Sequence, residues 1–316
     1  MKYRDPSVDV AKGICMLLIF GIHTEAYVTI GMPLTYIAVP MFFFMSGFFD
    51  SSEKTWRGNI SKWLRTLLIP IMFGLFYGTI YNLILDCVNH IPVSESQFLK
   101  FDYICPNKNN GTTWFLFALF YVKILSWSLS HIPIDWKWLF PILILFGYIG
   151  STYQLPFLID EGLAAMPFYW GGKLLFPVKN KIINRADLNI LGVAIIVLFS
   201  FHLLSFMINP MACGLYSPNY LIALLCVFFS FVPVMLLSEK LKNNKILKNI
   251  GIHTLGLLIF QLPFCSIAAR IAWRLFERDT VMWYLISAVF YILAVSLSYL
   301  LTIITEKYCP FLLGKK

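Results

Sequence analysis

Long apolar runs recur along the whole chain, broken by short polar stretches that carry most of its charge. They fall at residues 8–30, 36–49, 67–87, 113–130, 138–153, 163–176, 188–208, 220–237, 251–272 and 281–304. A helix needs roughly 20 apolar residues to cross a hydrocarbon core about 30 Å thick. About ten transmembrane helices are therefore expected, although the runs at 36–49, 138–153 and 163–176 are short. None shows the strict apolar–polar alternation of a membrane β-barrel strand. The expected class is an all-α polytopic membrane protein, with residues 1–316 forming one integral membrane domain and no appended soluble module. The longest extramembrane stretch is 88–112, and its Asn107-Lys-Asn-Asn-Gly111 segment is turn-forming.

Composition agrees with this class. Of the 316 residues, 59% are hydrophobic and only 13% charged, where soluble domains carry about 25%. The charges also orient the chain. With the N-terminus inside, seventeen loop lysines and arginines fall on the inner side. Only Lys100, Lys108, Arg270, Arg274 and Arg278 fall outside. The positive-inside rule then places both termini in the cytoplasm. The net charge of +9 is mostly this inner collar, which argues against a nucleic-acid partner. The first run is not a cleavable signal, because it holds Asp9, Lys12, His23 and Glu25 and no small-residue cleavage site follows.

Those ionisable residues are the chain's main chemical signal. Charged groups inside a bilayer are expensive and usually functional. Lys12 and His23 are eleven residues apart. On an α-helix that spacing puts them within roughly 20° of one face and ~16 Å apart along it. His23 has the chemistry of a general base near neutral pH. Asp9 shares the face of Lys12 and can pair with it at the membrane edge. Glu25 lies roughly opposite His23 and orients it only if the helix unwinds there. Ser46-Gly47, after three phenylalanines, lets a helix or ligand approach the backbone. Lys62 and Arg65 share a face at the start of the third run. They serve either as inner-surface anchors or as a holder for the phosphates of a soluble donor. Trp114 opens the fourth run, as a belt residue or as part of an acceptor path. The seven cysteines form no C-x-x-C pair, and no metal site is expected. Cys87 and Cys105 flank the outer loop, either as a pair open to oxidation or as separate thiols.

In order along the chain, Arg4, Asp9, Lys12-Gly-Ile, His23, Pro40, Phe44-Met-Ser-Gly-Phe48, Lys62-x-x-Arg65 with Pro70, and Trp114-Phe-Leu resemble the acyltransferase-3 family of integral membrane O-acyltransferases. Asn249-Ile-Gly-Ile-His-Thr-Leu255 is similar to a late motif of that family. The resemblance is specific over roughly the first 120 residues. It implies transfer of an acyl group, usually acetyl, from cytoplasmic acetyl-CoA to a hydroxyl of a surface polysaccharide or its lipid-linked precursor. It implies a bacterial inner membrane, His23 as the catalytic histidine and Lys12 as its paired cation. Lys62 and Arg65 would match a paired-basic motif for the donor, with Lys in place of the first Arg. Asp9, Ser46 and Trp114 are the expected substrate-binding residues, and Glu25 joins the catalytic set. The late histidine of many relatives has no counterpart in Leu258-Ile-Phe-Gln-Leu-Pro263. The alternative reading is an exporter of a surface polysaccharide or glycolipid, because some relatives are so described.

Overall fold

A computed structural model describes residues 5–24, 28–50, 55–100, 102–200, 220–277 and 280–315; side chains at 28–36, 136, 199 and 200 are also left aside. The described residues form helices and turns, without strands. The helices are α1 (Pro6–His23), α2 (Val28–Phe48), α3 (Trp56–Trp63), α4 (Ile69–Val88), α5 (Trp114–Ser130), α6 (Trp136–Thr152) and α7 (Ile159–Leu175). They continue with α8 (Lys179–Ile183), α9 (Ala186–Ser200), α10 (Tyr220–Lys240), α11 (Lys245–Ile252), α12 (Thr254–Leu275) and α13 (Val281–Tyr308). Among them, six segments are long and apolar enough to cross a membrane: Pro6–His23, Trp56–Val88, Gly111–Ser130, Tyr220–Lys240, Thr254–Leu275 and Val281–Tyr308. Shorter apolar stretches run over Ile37–Phe48, Lys137–Thr152 and Ala186–Leu198.

Each expected run coincides with helix among the described residues, but the run at 251–272 begins in the end of α11 before α12 starts at Thr254, and two further boundaries differ. The run at 8–30 is not one helix. α1 stops at His23, where the Thr24 hydroxyl donates to the carbonyls of Phe20 (2.9 Å) and Gly21 (3.3 Å). Hydropathy alone reads through this stop. The second helix, conversely, runs from Val28 rather than from residue 36.

α7 is a core helix. From Asp160 to Gly172, every residue except Leu163 is buried, and α2, α5 and α6 pack around it. Close backbone approach makes this possible. A Cβ on Gly47 would lie 1.9 Å from the Tyr169 carbonyl, and one on Gly172 would lie 1.8 Å from the Phe44 carbonyl. The Ser46-Gly47 pair is thus where α2 meets α7, as small residues allow.

Prolines shape the remaining helices. Pro70 has no N–H for the Thr66 carbonyl, and its ring crowds that turn. The chain responds with a π-turn at Leu64–Leu68, where the Ile69 N–H reaches back to the Leu64 carbonyl. Helices α3 and α4 are thereby joined into one widened segment. Pro263 in α12 likewise leaves the Ile259 carbonyl without its helical donor. Asn110 supplies one, donating from Nδ2 to Ile259 (3.0 Å) and to Gly74 (3.1 Å). Thr112 donates to the Leu258 carbonyl at 2.7 Å. The loop predicted as a polar outer turn is therefore folded inward at its end, with Asn107, Asn110, Thr112 and Thr113 buried.

At the opposite ends of these helices a layer of polar contacts ties the bundle together. Asp5 caps α1 through the Ser7 N–H and forms a buried ion pair with Lys179. Lys173 pairs with Asp50 at 3.1 Å. His253 and Lys315 both meet Glu306, at 2.9 and 2.6 Å. Cys87 and Cys105 are free thiols.

Candidate functional site

Four helices and one distorted turn line a half-open cavity of about 330 Å3. α1 contributes Lys12, Met16, Ile19, Ile22 and His23, which lie on one face at helical spacing. α2 contributes Val39, Phe42 and Ser46, and the π-turn contributes Thr66 and Leu67. Thr112 and the first turns of α5 (Trp114, Phe115, Leu116, Leu119) form a third wall. α12 closes the cavity with Thr254, Leu255, Leu258 and Gln261.

Lys12 and His23, about three turns apart on α1, therefore open into the same space. Lys12 holds its ammonium 5.5 Å from the centre of the Phe49 ring, a cation–π arrangement that keeps the charge at one end of the cavity. His23 is the last residue of α1. It keeps accessible surface and is one of the residues that line the cavity. Backbone contacts hold the face of α1 in place. A Cβ on Gly13 would lie 2.2 Å from the Leu247 carbonyl, and one on Gly251 would lie 1.7 Å from the Asp9 carbonyl. Only glycines at these positions let α1 and α11 touch backbone to backbone.

Ser46 lines the cavity, with its hydroxyl donated to the Phe42 carbonyl at 2.7 Å. What remains toward the cavity is its acceptor capacity. Trp114 also lines it, within an aromatic cluster: its ring centre lies 6.4 Å from that of Phe43 and 6.2 Å from that of Phe115. The structure thus brings Lys12, His23, Ser46 and Trp114 together.

Other expected site residues lie apart from the cavity wall. Asp9 is buried where α1 crosses α11. Lys62 sits one turn before the π-turn, where its carbonyl accepts from the Thr66 hydroxyl at 2.8 Å. Arg65 is in the π-turn, half-buried, with its Nε buried and unpaired. It is the neighbour of Thr66 and Leu67, which do line the cavity. Glu25 lies outside the described residues. Among those residues, no three His, Cys, Asp or Glu side chains gather as a metal ion would require.

Four polar cavity residues escaped the sequence reading: Thr66, Thr112, Thr254 and Gln261. Gln261 had a visible signal, as an amide inside the apolar run of α12. Thr254 fell within the Asn249–Leu255 motif without being singled out, and Thr66 and Thr112 carried no signal, as lone hydroxyls usually do not.

The acyltransferase-3 family model, described as an acyltransferase domain, matches residues 5–303. The chain belongs to this family and is, with its apolar helices, a membrane acyltransferase. Comparison with curated proteins gives no match, and neither does comparison with solved structures.

Proposed function

We propose that this protein is an O-acetyltransferase of the bacterial inner membrane. It moves acetyl from cytoplasmic acetyl-CoA to a hydroxyl of a surface polysaccharide or its lipid-linked precursor. The observation that carries the reading is the single apolar cavity shared by Lys12 and His23. A base and a cation are held at separate positions on one wall, at a spacing suited to a long donor with a charged head and a reactive end. The cavity volume of about 330 Å3 suits a small acyl thioester and one sugar edge better than a polymer conduit.

In this mechanism the acceptor hydroxyl meets the His23 imidazole, which takes its proton. The freed oxygen forms a C–O bond to the thioester carbonyl carbon. The tetrahedral intermediate then collapses, the C–S bond breaks, and the coenzyme A thiolate takes the proton back from His23. Lys12 stays near the charged part of the donor, with Lys62 and Arg65 holding its phosphates at the basic end of the bundle. Ser46 accepts from a sugar hydroxyl, and Trp114 offers the ring a flat apolar face. Asp9 belongs to the proposed substrate-binding set, and Glu25 to the proposed catalytic set.

Membranes carrying the protein, given acetyl-CoA labelled in the acetyl group, test the reaction. Label is expected in glycan or glycolipid, released by mild alkali as an ester is. Label that never leaves the donor, together with a protein-dependent change in the sidedness of unmodified glycolipid, would turn the assignment to export.

A further inference from the structure

Gln261 is fully buried, and both Nε2 and Oε1 of its carboxamide are buried without a hydrogen-bond partner. Folded proteins avoid this, and each such orphan calls for an explanation. Gln261 is also part of the cavity wall, on the same face of α12 as Thr254 and Leu258. The protons of the hydroxyls along the cavity wall are already committed. Ser46 donates to Phe42, Thr66 to Lys62 and Thr112 to Leu258. The carboxamide therefore holds an uncommitted donor and acceptor beside the cavity. It is neutral, so it suits a carbonyl oxygen on which charge develops only in passing rather than a standing phosphate charge.

The backbone beside it is braced. Asn110 and Thr112 bond the Ile259 and Leu258 carbonyls, within one turn of Gln261. This fixes α12 where Pro263 would otherwise loosen it. A side chain left unpaired on a braced helix is preorganised for something that enters.

Building on the acetyl-transfer reading above, we infer that Gln261 binds the acyl carbonyl of the donor. Nε2 donates to the thioester oxygen as the acceptor oxygen bonds to the carbonyl carbon, and holds the oxyanion until the C–S bond breaks. Side-chain amides serve this role in other acyl-transfer sites. Oε1 accepts from the incoming sugar hydroxyl network.

Purified Gln261→Leu and Gln261→Met proteins test this, with coenzyme A affinity, melting temperature and acetyl-transfer kinetics measured on each. Expected are coenzyme A affinity within about twofold of wild type, an unchanged or higher melting temperature, and kcat lower by roughly a hundredfold. Unchanged kcat in either folded variant would overturn the inference. Loss of coenzyme A binding in both would also overturn it, by making Gln261 a structural residue. A wild-type protein that transfers no acetyl would instead remove the reading beneath it.

Discussion

His23 and Lys12 were legible in the sequence because polar groups are costly in an apolar helix and their spacing fixes their common face. The cavity turns that spacing into a shared space. Ser46 and Trp114 were legible through their motifs. Gln261 was visible only as an amide in an apolar run, and Thr254 only within a motif; their place in the cavity, like that of Thr66 and Thr112, depends on helices distant in sequence. The residue scale carries one prediction about binding. Lys12→Ala should raise KM for acetyl-CoA by about tenfold or more, the size of one charge-assisted contact. Lys12→Arg should recover part of the loss. Initial rates over a range of acetyl-CoA concentrations decide it, and an unchanged KM would confine Lys12 to an anchoring role.

At the scale of elements, helix positions followed from hydropathy, whereas stops and distortions did not. The end of α1 falls at Thr24, whose hydroxyl returns to the Phe20 carbonyl. The π-turn was hidden in Pro70, whose position is plain in the sequence but whose structural outcome depends on neighbours. Such turns are frequent at functional sites, and this one places Thr66 and Leu67 in the cavity wall. Pro70→Ala should let the turn tighten to regular α-helix and lower transfer without unfolding the protein. Activity together with melting temperature reads this, and full activity would show that the distortion is incidental. The Asn110 brace gives a sharper case. Asn110→Ala should destabilise by about 1–3 kcal/mol, the cost of leaving a buried carbonyl unpaired. Pro263→Ala restores the missing helical N–H, so the same Asn110→Ala change should cost less on that background. Additive effects in the double-mutant cycle would contradict the assigned coupling.

At the scale of the whole molecule, apolar runs and basic loops indicated an all-helical bundle. They did not show that α7 would be buried as a core helix, because burial depends on which helices surround it. The polar layer at the ends of the bundle joins α1 to α8, α2 to α7 and the start of α12 to α13 through contacts that no local pattern announces. The Asp5–Lys179 pair carries a pH dependence. Burial of Asp5 works to raise its pKa, but the Lys179 and Ser7 hydrogen bonds prevail and hold it below the ordinary carboxylate value. The folded state therefore binds fewer protons here than the unfolded chain. The contribution is complete above the unfolded carboxylate pKa and is lost as pH falls through the lower folded value. Melting temperature should fall as the pH drops below about 4, with a smaller fall in Asp5→Asn. Parallel curves for the two proteins would contradict the role given to this pair.

The most direct measurement compares purified wild-type, His23→Ala and His23→Gln proteins in transfer of labelled acetyl from acetyl-CoA to glycolipid, with coenzyme A binding as a control for folding. The account predicts that both variants bind coenzyme A nearly as wild type does and lose transfer by at least about a hundredfold. Transfer at the wild-type rate in either variant would contradict it.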